Sequence, residues 1–252
     1  MSYQRELKPG FESFDPLVLT EKTRKIVCSD DSRKYKDFYK VGVYGGIATG
    51  YTIGCNLRCY FCWVGPGRDH PEEYGELYSS SEVVKNLEDV AEKSGISKAR
   101  ISGGEPTLCK KHFLKVLEEI ERSSVIDTFI LETNGVLFGD DREYVKEISK
   151  FETLYVRVSL KSGEPEKWEE NTGASKKFFE LPYRALHHLW KENIDFHVAA
   201  MADPRNTSKK EMAGVYSRVA ELSEPLAENI EWETIDMYPN TKKRLKALRK
   251  EL

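Results

Sequence analysis

Apolar positions follow two rhythms along the chain. Short β-prone runs stand at 51–54 (YTIG), 99–102, 128–132 (TFILE), 154–160 (LYVRVSL), 195–201 (DFHVAAM) and 230–237. Between them, apolar residues recur every three or four positions, as one face of a helix requires. The stretch 82–93 (EVVKNLEDVAEK) is of this kind, with Ser80 or Ser81 as cap and Gly95 as stop. Further helical patterns cover 112–121, 142–149, 178–192 and 209–222. Strands alternating with helices build βαβ units on a parallel sheet. Right-handed crossovers curl six such units into a barrel or part of one. The expected fold is α/β, a partial (βα)6 TIM-like barrel over about 41–240.

Two ends fall outside this alternation. Residues 1–40 are polar, with a charged run at 29–40 (SDDSRKYKDFYK), and read as an N-terminal extension that packs on the barrel or moves as a lid. Residues 241–252 (TKKRLKALRKEL) read as a C-terminal basic helix docked through Leu245 and Leu248.

Composition narrows the classes. The 252 residues suffice for a full core. Lys plus Arg number 39 against 42 Asp plus Glu, so no basic excess favours nucleic acid as partner, although the basic terminal helix keeps a phosphate-bearing substrate such as tRNA open. No apolar run approaches the roughly eighteen residues of a membrane span. The first fifteen residues hold no apolar leader, so the expected location is cytoplasmic and no membrane partner is expected.

The five cysteines carry the sharpest signal. An odd count in an unexported chain is a poor disulfide framework. Cys55, Cys59 and Cys62 sit on one short stretch, Gly54-Cys-Asn-Leu-Arg-Cys-Tyr-Phe-Cys-Trp63, in a C-x3-C-x2-C spacing. Three thiolates so placed can wrap one metal centre. Zinc normally takes four ligands, from two spaced pairs, and the second pair is missing; His70 is near enough to complete a three-cysteine zinc site. The other reading is a [4Fe–4S] cluster held by three cysteines, with one iron open to a small molecule. Cys28 and Cys109 are too few for a second cluster, so one cluster is expected, and Cys109 reads as a small packing residue.

Other chemistry-bearing residues stand where strands are expected to end. Ser102-Gly-Gly-Glu-Pro-Thr107 follows the second strand. Paired glycines admit close approach of a ligand, or make a tight turn. Glu132-Thr-Asn-Gly135 closes the third strand, either as an Asn-Gly turn or as a source of polar contacts from Glu132 and Asn134. Ser159 and Lys161 end the fourth. His197 and Met201 on the fifth strand are expected to face the interior, His197 as a packed, hydrogen-bonded residue. Trp63, Tyr74 and Tyr78 flank the site in sequence and read as core packing or loop anchors, with lining of a substrate cavity as the alternative.

C-x3-C-x-Phe-C, with Phe61 ahead of the third cysteine, resembles the hallmark of radical S-adenosylmethionine (SAM) enzymes, and the likeness extends at intervals over about 47–239. The resemblance implies one [4Fe–4S] cluster on Cys55, Cys59 and Cys62, with SAM chelating the fourth iron. It implies a cofactor pocket with Phe61, with Gly103, Gly104 and Glu105 at the methionyl amine, Glu132 and Asn134 at the ribose, and Ser159 and Lys161 at the carboxylate. The residues 171–173 (NTG) are similar to a short glycine loop of that family. The implied reaction is one-electron cleavage of SAM to methionine and a 5′-deoxyadenosyl radical, which abstracts hydrogen from a substrate. The ETNG turn is similar to that of the glycyl-radical activating enzymes. With the short chain and the lack of further cysteines, it places the expectation near that branch: a protein glycyl segment as substrate and a flavodoxin or ferredoxin as electron donor. Residues 1–49 do not match the start of those enzymes. The alternative is a radical SAM enzyme that modifies RNA, a peptide or a small metabolite. A non-catalytic iron–sulfur or zinc protein is the reading from another class.

Overall fold

A computed structural model describes residues 3–250. Helix α1 (Pro16–Val27) starts at Asp15, whose carboxylate accepts from the amides of Leu17 and Val18. Strands β1 (Cys28–Ser29), β2 (Ser32–Val41), β3 (Ile47–Thr52) and β4 (Glu76–Ser79) follow. Ser79 then caps α2 (Ser80–Ser94) in a reciprocal box with Glu82, and left-handed Gly95 stops it. The chain continues through β5 (Lys98–Gly103), α3 (Lys110–Ile120), β6 (Thr128–Thr133), α4 (Val136–Asp140) and α5 (Arg142–Ile148). Next come β7 (Leu154–Leu160), α6 (Pro165–Thr172), α7 (Glu180–Lys191), β8 (Phe196–Met201), α8 (Lys209–Ala220), α9 (Glu224–Glu228), β9 (Glu231–Glu233) and α10 (Pro239–Leu248).

Among the described residues, the nine strands join one sheet, in the order β1-β2-β3-β5-β6-β7-β8-β9, with β4 also on β2. From β3 to β9 the six neighbours run parallel. They are the six expected strands, in an open, partial barrel. Helices bury their apolar stripes on the outer face, among them Val83, Leu87 and Ala91 of α2 and Phe113, Val116 and Ile120 of α3. The inner face is polar, carrying Arg100, Ser102, Glu132, Arg157 and Ser159, which leaves room for chemistry at the C-terminal strand ends.

The charged run at 29–40 differs from expectation. Most of it is β2, paired antiparallel with β3 from Tyr35 opposite Thr52 to Val41 opposite Ile47. Polar residues hold its inward positions, so alternation of hydrophobicity does not reveal the strand: Arg33 and Tyr35 are fully buried. The stretch is therefore not a lid, and a boundary at residue 40 falls inside β2. His112 of α3 locks it from outside. Its Nδ1 donates to the Asp31 carbonyl at 2.6 Å, which leaves Nε2 to accept from the Tyr35 hydroxyl at 2.9 Å. At the other end, α10 docks through Leu245 and Leu248 as expected, but also buries Thr241 and Arg244. Residues 251–252 of the expected helix lie outside the described residues.

Candidate functional site

The loop after β3 carries the cysteine triplet. It leaves the strand at Gly54 with φ +80°, where a side chain is disfavoured. Its backbone is fastened to the chain after α6: Arg58 N donates to Thr172 O at 2.9 Å and Tyr60 N to Asn171 O at 3.2 Å. The 171–173 segment thus clasps the cysteine loop. Asn56 extends the fastening, donating to Thr20 Oγ1 at 3.1 Å and accepting from Asn134 Nδ2 at 2.8 Å.

Cys55, Cys59 and Cys62 are free thiols lining one cavity at the C-terminal strand ends. Tetrahedral zinc would draw its sulfurs to about 3.8 Å of one another, given a bond of about 2.3 Å. Among the described residues, the set of ligand atoms converging within 4.8 Å is His70, Glu72 and Glu73; the three sulfurs stand wider as a trio. His70 is no fourth ligand, since its Nδ1 faces Arg5 at 2.7 Å, away from the cavity. Three thiols spread around one cavity fit separate irons of a [4Fe–4S] cluster. Burial pushes the Cys55 thiol up to about 12 and the Cys59 thiol up to about 11, so loading iron must displace protons.

The glycine segment lies flush against the root of this loop. Gly104 N donates to Thr52 O at 3.0 Å and Glu105 N to Gly54 O at 2.8 Å. A Cβ on Gly104 would stand 2.1 Å from the Gly54 carbonyl oxygen. Gly103 takes φ +97°. From β2, Arg33 donates to the Glu105 and Pro106 carbonyls and pins the turn from beneath.

The cavity gathers all eleven residues picked from the sequence: the three cysteines, Phe61, Gly103, Gly104, Glu105, Glu132, Asn134, Ser159 and Lys161. Several of their polar atoms are engaged by protein. Glu105 Oε1 accepts from Thr107 N at 3.2 Å and from the hydroxyls of Thr107 and Thr133, each at 2.7 Å; Oε2 accepts from Asn134 N at 2.9 Å. Glu132 accepts from Arg100 at 2.5 Å, Tyr44 at 3.1 Å and Ser102 at 2.6 Å. The Asn134 amide spans Asn56 and Val136 N. Glu105 and Asn134 are thus braces between the strand-end turns and the cysteine loop. Ser159 donates to Glu233 at 3.0 Å and accepts from Lys161 at 2.5 Å.

Sequence reasoning missed the wall beside Ser159: Arg157, with Glu233, Thr234, Ile235 and Asp236. Arg157 bonds Glu231 and Glu233, each at 2.8 Å. Its signal was a lone cation inside an apolar strand. Met201 lines the cavity; His197 does not, pairing with Glu231 at 3.0 Å and stacking on Tyr155. Trp63 lines it too, whereas Tyr78 packs edge-on against Tyr35 and Phe38.

Cys28 and Cys109 correct an expectation, for they form a disulfide across 81 residues of sequence. The β1–β2 ladder carries Cys28 beside the turn that follows the glycine segment, a proximity no local pattern encodes.

A family model described as the radical SAM superfamily matches residues 50–213. The chain belongs to the radical SAM superfamily. The GTP 3′,8-cyclase of Desulforamulus reducens is 36% identical over 125 residues, half of this chain and 37% of that enzyme. A probable GTP 3′,8-cyclase of Methanococcus vannielii is 35% identical over 122 residues, 48% of this chain and 38% of that protein. The match thus spans little more than a third of these relatives' length. Two solved structures share the fold. One is native anSMEcpe with bound AdoMet and Cp18Cys peptide, TM-score 0.55 and 19% identity, covering 79% of this chain and 56% of that one. The other is HydG, a maturase of the [FeFe]-hydrogenase, TM-score 0.56 and 14% identity, covering 81% and 49%. The relatives named are GTP 3′,8-cyclases rather than glycyl-radical activating enzymes, so they fit the alternative expectation, a radical SAM enzyme that modifies RNA, a peptide or a small metabolite, better than the branch expected from the ETNG turn. Among the described residues no helix is long and apolar enough to cross a membrane.

Proposed function

We propose that this chain binds one [4Fe–4S] cluster on Cys55, Cys59 and Cys62, binds SAM at the open iron, and modifies a small polar metabolite by hydrogen abstraction. The observation that carries the reading is the convergence of three free thiols and the Gly103–Gly104 turn on one cavity. The chemistry such a cofactor pair supplies is one-electron cleavage of a sulfonium and hydrogen-atom abstraction by the resulting carbon radical.

This chain's residues position and shield. With the Glu105 carboxylate spent on Thr107, Thr133 and Asn134, the SAM amine falls to backbone carbonyls of the glycine turn. Lys161, beside Ser159, is the cation for the SAM carboxylate. Ser102 and Glu132 form the polar floor for ribose hydroxyls. The wall of Arg157, Glu233 and Asp236 is left for the substrate. Its mixed charge suits a molecule with hydroxyl or amino groups, and its place inside the barrel favours a small molecule over a protein glycyl segment. The cyclase relatives support the same choice. Flavodoxin or ferredoxin remains the class of electron donor proposed.

The test is anaerobic reconstitution with a strong reductant. About four irons per chain and formation of 5′-deoxyadenosine from SAM are expected, with Cys59→Ala losing both. Candidate small molecules, GTP first, are screened as the deuterated compound for label in 5′-deoxyadenosine. An intact cluster whose EPR signal ignores SAM refutes the proposal.

A further inference from the structure

Beneath the cysteine loop lies a buried ion cluster that the proposed chemistry does not use. Asp69 is 2% exposed, and three guanidiniums converge on it. Arg68 donates through Nε and Nη2 to Oδ1 at 2.9 and 2.7 Å. Arg244, from α10, donates to Oδ2 at 2.7 Å, across 175 residues of sequence. Arg58 places Nε 3.7 Å from Oδ1. Burial alone pushes the Asp69 carboxyl up, but Arg68, then Arg58 and Arg244, outweigh it and hold the group well below the usual carboxylate range. One carboxylate thus anchors three buried cations.

Each of these arginines also donates to the backbone carbonyl of a different cysteine. Arg58 Nη1 donates to Cys55 O at 2.7 Å. Arg68 Nη1 donates to Cys59 O at 2.6 Å. Arg244 Nη1 donates to Cys62 O at 2.6 Å, and to Val64 O at 2.7 Å. Charge-assisted bonds of this length are the strong ones. All three thiol-bearing residues are therefore gripped from behind by one network.

We propose that Asp69 with Arg58, Arg68 and Arg244 is a cationic platform that fixes the spread of the cluster ligands and eases reduction of the cluster; this rests on the function proposed above. The platform carries one anion against three cations inside a low-dielectric interior. A cluster on three thiolates gains one negative charge on reduction, and nearby fixed positive charge favours that state. Positioning and electrostatics then share the same side chains, and the three arginines act through the cysteines as positioning residues.

The experiment is potentiometric EPR titration of the reconstituted chain, with iron content and melting temperature measured alongside. Arg244→Met removes one cation and is expected to keep about four irons. Its ratio of reduced to oxidised cluster at a fixed potential should fall at least tenfold, a negative midpoint shift of about 59 mV for a one-electron couple. Arg244→Lys should recover part of that shift. Asp69→Asn removes the anion and should move the midpoint the opposite way. A loss of melting temperature alone would follow from a merely structural network, whereas opposite shifts would not. Ratios of reduced to oxidised cluster within threefold of the parent's in all three variants, at the same fixed potential, overturn the proposal. So does failure of both Arg244→Lys and Asp69→Asn to hold iron while the parent holds it, since the charge then has no separable effect. If the parent itself assembles no four-iron cluster, the proposed function falls first and this platform with it.

Discussion

Gly104→Ala is a local test of how the SAM turn is held. The added methyl would sit 2.1 Å from the Gly54 carbonyl oxygen and 3.1 Å from the Gly54 and Ile53 carbonyl carbons. Separations under 3.0 Å force a shift, and here the obstacle is backbone rather than a flexible side-chain end. Separating the two segments breaks the Glu105 N to Gly54 O bond of 2.8 Å and the Gly104 N to Thr52 O bond of 3.0 Å. Each is worth about 1 kcal/mol net, so destabilisation of about 2 kcal/mol is expected. For a chain of this length that lowers the melting temperature by about 4–8 °C. The functional effect is larger. A displacement of about 1 Å in a positioning segment costs up to about 100-fold in a reaction that depends on it. SAM affinity measured by anaerobic calorimetry on the reconstituted variant should drop at least tenfold while iron content stays at the parent level. Unchanged SAM affinity and melting temperature would show that the turn does not need this contact, and the reasoning would be wrong.

Further outcomes are as specific. Burial pushes the His112 imidazole down to about 4, with the Asp31 carbonyl and Arg33 as smaller influences. The folded state therefore refuses a proton that the unfolded chain accepts below about pH 6.5, so stability is full above that pH and is lost as pH falls towards 4. Between pH 7.5 and 5 the loss from this group is about 2 kcal/mol, and urea midpoints of His112→Gln should show a correspondingly flatter acid slope. Cys109→Ala should leave iron loading near the parent level yet lower unfolding stability by about 2–4 kcal/mol under oxidising conditions, with the difference vanishing in excess thiol. Arg33→Met removes the donors to the Glu105 and Pro106 carbonyls and should weaken SAM binding more than it lowers the melting temperature; equal effects on both would mark Arg33 as ordinary packing.

Much of the site could be read from the chain alone, because its residues lie where strand patterns end. Gly103 and Gly104, Glu132 and Asn134, Ser159 and Lys161 each close a strand in the structure, and parallel strands deliver their C-terminal ends to one mouth. What each side chain does there was less accessible. Glu105 was expected at an amine; in the structure its carboxylate bonds Thr107 within its own turn, and Thr133 and Asn134, which meet it only because β5 and β6 are side by side. Strand β2 escaped notice for a related reason. Its inward positions hold Arg33 and Tyr35, whose polar ends find partners on the 105–106 turn and on α3, so burial here follows from distant partners rather than from apolar character.

The amino-acid order by itself determined the alternating βα frame and the three-thiol loop, since both are written in spacings of a few residues. Only the tertiary structure decided that Cys28 meets Cys109 and that Arg244 reaches back to Asp69. Periodicity is a property of neighbours along the chain. A disulfide or a buried ion network is a property of neighbours in space, and the sheet order brings those together after local patterning has ended.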